Sequence, residues 1–218
     1  MYQLIARCAQ AKGHKQVTQP PLSFHSLALI LERGRAVARR CLVGSTSRNL
    51  YSQPNPQKIA KHFSEAEICG YELSILDRVS KMKSVTPVRR KKNGTGNGYA
   101  TVTSGDESVT AMDLKKPVIA EQGVDEILHM KILESIIDFS EPTTIVLASG
   151  DAAEAEYSGG FFKTVHRALT KGWNVEVLAW RDGLSREYQN KDFFRKWGDR
   201  FEVILLDDFA EDMLAIYE

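Results

Sequence analysis

The stretch Thr143-Thr144-Ile145-Val146-Leu147-Ala148-Ser149-Gly150-Asp151 decides the fold. A short apolar run closed by turn residues reads as a buried parallel strand. Glycine lets the chain turn where the strand leaves the sheet, so the Asp151 carboxylate stands at the strand's carboxyl edge. Downstream, Phe161, Phe162, Val165, Ala168 and Leu169 follow the spacing of an amphipathic helix stopped at Gly172. A strand over 175–180, a short helix over 192–197 and a last strand over 201–206 come next. Upstream, 126–138 reads as a helix, with Leu128, Ile132, Ser135 and Phe139 on one row and Met130, Leu133 and Ile137 on another. Farther back, Ser23 caps a helix over 24–33 stopped by Gly34, and a strand covers 37–44. Asn55-Pro56 opens a helix ended by Gly70, and a strand covers 71–76. Strands alternating with helices predict an α/β fold with a parallel sheet, whose functional groups gather beyond the carboxyl ends of the strands.

The chain has 218 residues, enough for one large domain, and 26% charged residues, as in ordinary globular proteins. No apolar run approaches the roughly 18 residues of a membrane span, so no membrane partner is expected. Three scattered cysteines exclude a disulfide scaffold and a CxxC metal site, and point to an intracellular protein, cytoplasmic or nuclear. The net charge of +1 hides a split. Residues 1–120 carry 19 Lys+Arg against 8 Asp+Glu, net +11; residues 121–218 carry 10 against 20, net −10. This suggests a basic surface for a polyanion and an acidic region for a cation. Residues 83–120 are rich in Gly, Ser, Thr and charge and lack periodicity, and read as a flexible insert between residues 1–82 and 121–218 of one domain. Protein partners are not legible.

Two carboxylates carry the chemistry. Asp151 follows the apolar strand; as a turn residue or helix cap it would have a purely local role. Asp125, in Gly123-Val124-Asp125, would cap the helix over 126–138 if it stood alone. Together, at adjoining element ends, the two can share a hard divalent ion, with carboxylates expected within about 8 Å of each other. Glu154 and Glu156 follow closely and either add oxygens or stay solvated. The copy Ser104-Gly105-Asp106 has no strand before it and receives no role. The run Arg89-Arg90-Lys91-Lys92 contacts phosphates, acts as a nuclear address, or is a solvated charge run. His129 and His166 read as boundary residues, Cys41, Trp173 and Trp180 as packing. Arg39 and Arg40, inside a strand, must reach the surface or pair with carboxylates.

Glu121-Gln122-Gly123-Val124-Asp125-Glu126, then a helix, then Thr144 to Asp151, then Gly172-Trp173-Asn174-Val175-Glu176-Val177 resembles the NYN domain, a family of the PIN-like nucleases. Arg39 to Ser45, Gly70-Tyr71-Glu72-Leu73 and Gly159-Gly160-Phe161-Phe162 fit the same order. The resemblance covers about 23–80 and 121–209. It implies a three-layer α/β sandwich with a central parallel sheet, an acidic pocket for Mg²⁺ or Mn²⁺, and hydrolysis of RNA phosphodiesters. Asp125 and Asp151 match the pocket acids as catalytic and metal-binding residues; Glu154 is added as a metal ligand from its position close after Asp151, not by that match. The family opens with an apolar strand ending in Asp, followed shortly by Asn. Here no Asp precedes Asp77, and residues 2–12 resemble the helical stretch after that strand. An N-terminally truncated domain is therefore expected, lacking its first central strand between the strands over 37–44 and 143–148. Those neighbours would pair directly, residues 2–8 would substitute, or a gap would remain. The loss of one acid leaves two functional readings: a metal-dependent ribonuclease with impaired catalysis, or a non-catalytic RNA-binding or scaffold module of the same fold. A small-molecule or regulatory α/β domain, in which Asp151 only shapes a pocket, is the third.

Overall fold

A computed structural model describes residues 22–46, 63–84, 115–154 and 157–213. Helix α1, Phe24–Glu32, begins where the Ser23 hydroxyl accepts from the Ser26 N–H at 3.2 Å, and ends where Arg33 turns left-handed (φ 49°) and Gly34 follows (φ 74°). Strands β1, Cys41–Thr46, and β2, Glu72–Asp77, pair in parallel, from Cys41 opposite Glu72 to Thr46 opposite Asp77. Between them lies helix α2, helical over 63–68; Gly70 (φ 80°) makes the turn into β2. Strands β3, Val79–Ser84, and β4, Lys115–Ala120, form an antiparallel ribbon. Helix α3, Val124–Asp138, then leads to a second parallel sheet. Its strands β5, Thr144–Leu147, β6, Asn174–Ala179, and β7, Phe201–Leu205, lie in chain order. Helices α4, Gly160–Thr170, and α5, Lys191–Trp197, connect them.

The chain is thus a mixed α/β protein with small parallel sheets, as the alternation of elements predicts. Two expectations need correction. The strand expected over 37–44 begins at Cys41, because the Arg39 and Arg40 side chains engage carboxylates at the edge of the ladder. Arg39 holds Glu72 at 3.0 Å and Glu134 at 3.2 Å, and Arg40 holds Glu32 at 2.6 Å. The segment 83–120, expected mostly without regular structure, is strand at 83–84 and 115–120. Pairing β3 with β4 gives those backbone groups partners, and the adjacent β-branched Val118 and Ile119 favour an extended chain. Residues 85–114 lie outside the described residues.

The core gathers on the second sheet, which is covered on both faces. Val175 and Val177 of β6 point to one side, where Phe161, Val165 and Leu169 of α4, Phe193 of α5 and Leu128, Ile132 and Ile136 of α3 meet them. Leu178 points to the other, against Leu27, Ile30 and Leu31 of α1 and the buried Met213. On that side Glu176, only 7% exposed, receives Arg33 at 2.8 Å and Arg35 at 2.6 Å. A carboxylate in the middle strand is tolerable because these two guanidiniums replace its water.

β1 and β5 belong to different sheets and do not pair. Between residues 36–40 and β5 lies a cleft of about 400 Å³, lined by Ala36, Val37, Ala38, Thr144, Val146 and Trp173 among others. The Thr143 carbonyl bonds the Asn174 N–H at 2.8 Å, so along β5 the backbone groups of 143 and 145 address β6. Those of Thr144 and Val146 then point the opposite way, toward the cleft, as a parallel ladder requires. The described residues place no strand between β1 and β5, and residues 2–8, expected as a possible substitute there, lie outside the described residues.

Candidate functional site

The carboxyl ends of β1 and β5 and the start of α3 bring acidic residues together. Gly123 (φ 80°), not Asp125, is the N-cap of α3, and no side chain caps it. Asp125 sits in the first turn instead. Its carboxylate accepts no hydrogen bond among the described residues. Burial pushes its pKa above the ordinary carboxylate range, and the charge of Asp151 is the next largest cause. Glu126 and Glu121 add to the effect, while His129 opposes it. The two candidate acids therefore feel each other's field.

Asp151 is exposed and partly committed to its own turn. Its Oδ1 accepts the Ala153 N–H at 2.8 Å, and its carbonyl accepts the Tyr188 hydroxyl at 3.2 Å. The turn depends on Gly150: a Cβ there would collide with the Gly183 carbonyl and stand 2.8 Å from the Ala179 Cβ. Sequence reasoning placed this glycine for its turn; the tight approach to residue 183 needed the fold.

The loop after β5 is fastened to α3. The Tyr157 N–H donates to Glu126 at 3.0 Å, and the Gln122 amide to the Tyr157 hydroxyl at 3.0 Å. Ser158 bonds His129 Nδ1 at 2.6 Å, leaving His129 Nε2 buried without a partner among the described residues. His129 is 4% exposed, more deeply placed than a boundary residue, and burial pulls its pKa down. These fastenings were missed, since nothing in the spacing of Glu126, His129 and Ser158 marks them as neighbours.

At the end of β1, Glu121 accepts from the Ser45 hydroxyl at 2.6 Å and from Arg78 at 2.9 Å. It is thereby held below the usual carboxylate range, and its charge is compensated. Glu154 pairs with Lys163 and is largely exposed. It is thus occupied away from the Asp125–Asp151 pair. Glu156 and the run Arg89, Arg90, Lys91 and Lys92 lie outside the described residues.

No family model, curated protein or solved structure matches this chain. The functional reading rests on the side chains alone. Among the described residues, no three His, Cys, Asp or Glu side chains form a group able to hold a metal ion. Two carboxylates, one of them without a hydrogen-bond partner, suit only an ion that keeps most of its water, as Mg²⁺ does on one or two carboxylates. No helix among the described residues is long and apolar enough to cross a membrane.

Proposed function

We propose that this chain is an NYN-type ribonuclease domain, a three-layer α/β sandwich of the PIN-like kind, acting with Mg²⁺ or Mn²⁺ on RNA phosphodiesters. The supporting observation is the pair Asp125 and Asp151 at the carboxyl edge of the sheets, where the charge of one raises the pKa of the other. Two like charges at one edge, with no cationic side chain bonded to either among the described residues, favour a cation. Such an ion activates water and offsets charge growing on the phosphate. Asp125 would present its carboxylate from the first turn of α3, and Asp151 the carboxylate oxygen that its turn leaves free. An intracellular place, cytoplasmic or nuclear, goes with an RNA substrate.

One observation favours a second reading, a non-catalytic RNA-binding or scaffold module: no third ligand joins the pair among the described residues. Isothermal titration with Mn²⁺ and cleavage of end-labelled RNA separate the two, each with wild type and Asp151→Asn. Mn²⁺ binding and cleavage that both vanish in Asp151→Asn support the ribonuclease. RNA binding without cleavage leaves the module. A protein that binds neither Mn²⁺ nor RNA ends both.

A further inference from the structure

The loop that leaves β5 is pinned on two sides. On one, the Asp151 carbonyl accepts the Tyr188 hydroxyl at 3.2 Å, and the Gly150 carbonyl accepts the Ser185 N–H at 2.9 Å. On the other, the loop is bonded to α3, the helix that carries Asp125. There Glu126 accepts the Tyr157 N–H at 3.0 Å, and His129 Nδ1 meets the Ser158 hydroxyl at 2.6 Å. The start of α4 backs onto the same loop, where a Cβ at Gly160 would collide with the Ala153 carbonyl. Asp125 and His129 are four residues apart on one helix, so their side chains leave neighbouring turns of one face. The Ser158 bond is therefore made on the flank of α3 from which Asp125 extends.

Packing alone does not account for His129. The ring is 4% exposed and stands edge-on to Phe161, with centroids 4.3 Å apart. A phenyl ring would pack there with no polar atom to desolvate. The imidazole instead leaves Nε2 buried with no partner among the described residues, which is unfavourable. What the imidazole adds over a phenyl ring is the Nδ1 that holds Ser158.

We propose that His129 is a positioning residue: through Ser158 it holds the loop of Asp151 against α3, and so sets the spacing of the Asp125 and Asp151 carboxylates around the ion they share. The inference rests on the ribonuclease reading above, because it concerns that ion. It adds a residue that touches neither ion nor RNA and acts through the loop.

The experiment titrates Mn²⁺ into the full chain by calorimetry and, without metal, follows amide hydrogen exchange by NMR. Partners that orient a metal's ligands typically change its affinity by about 10–100-fold, and Ser158→Ala is expected to weaken Mn²⁺ binding by about tenfold. In the same variant the Ala153 and Tyr157 amides should exchange faster, while the buried Val165 amide of α4 and the melting temperature hold. Ser158→Thr restores the hydroxyl and is expected to recover the affinity. His129→Phe keeps a ring beside Phe161 and should match Ser158→Ala. The double variant should bind no more weakly than either single one, because both cut one bond. Losses that add up in the double variant would mean that the ring acts apart from Ser158, and would overturn the proposal. Unchanged Mn²⁺ affinity in Ser158→Ala, with a wild type that binds Mn²⁺, would overturn it too and leave the ribonuclease reading intact. Faster exchange at Val165 and a lower melting temperature, in step with the lost affinity, would make the bond merely structural and count equally against it. A wild type that binds no Mn²⁺ ends the ribonuclease reading and this inference with it.

Discussion

The two parallel sheets share a strand direction and little else. In β5–β6–β7 the middle strand is buried from Val175 to Ala179, and both faces are covered by helices. In β1–β2 every residue from Cys41 to Thr46 is only half-buried, and Glu72 and Asp77 at the ends of β2 are exposed. Among the described residues before Leu147, only Ala28 and Ala66 are buried apolar side chains. The contrast shows where stability resides. A parallel strand contributes through its covered faces rather than through its ladder alone. The first sheet has its ladder, but among the described residues no strand joins it to β5.

The strongest way to break this comparison is to truncate one leucine in each region. Leu169, fully buried in the core of the second sheet, is expected to cost about 2–5 kcal/mol as Leu169→Ala. Leu42→Ala in half-buried β1 is expected to cost about 1 kcal/mol. Urea unfolding of both variants measures the difference. Equal losses would mean that β1 is as tightly packed as β6.

A second pair concerns glycine. Gly150→Ala places a methyl group against the Gly183 backbone and is expected to cost about 1–3 kcal/mol, with the Asp151 turn displaced. At Gly44, in β1, a methyl group would meet nothing nearer than Ile75 Cδ1 at 3.8 Å. Gly44→Ala should leave stability unchanged or raise it by about 0.4–1 kcal/mol. A costly Gly44→Ala would show that the slack side of the molecule is not slack.

The same contrast explains what could be read from the sequence. Phe161, Val165, Ala168 and Leu169 gave their helix away because one covered face imposes a period on the residue types, and all four are buried. The α/β alternation followed from such periods. β4 is not legible because Lys115 to Ala120 shows no apolar–polar alternation. β1 was placed four residues early because Val37 and Ala38 look strand-like, yet they line the cleft and are not in the ladder. At the site, Asp125 and Asp151 were found through their positions at element ends. The commitment of Glu154 to Lys163 and the pairing of Glu121 with Ser45 and Arg78 depend on contacts between distant segments, which no local pattern encodes.

The smallest expected effect tests the site itself. An Asp in the first turn of a helix is ordinarily stabilised by the helix dipole when charged, by about 0.3–1 kcal/mol. At Asp125 two opposing causes prevail, burial and the charge of Asp151, and its pKa is raised. The folded chain then holds a proton that the unfolded chain has given up. Stability contributed by that proton is complete below the ordinary Asp pKa of about 3.9 and is lost as pH rises through the higher folded value. Asp125→Asn should therefore raise the melting temperature slightly at pH 7 and leave it unchanged near pH 3, where both states carry the proton. Asp151→Asn should bring the Asp125 carboxyl, followed by NMR titration, back toward its ordinary range. Mn²⁺ should narrow the gap between wild type and Asp125→Asn at pH 7, because an ion at the pair stabilises the charged form. A melting temperature that falls in Asp125→Asn at pH 7 would mean that the dipole outweighs the neighbouring acid. The two carboxylates would then be a helix start and a turn that happen to lie at one edge, with no shared demand for a cation.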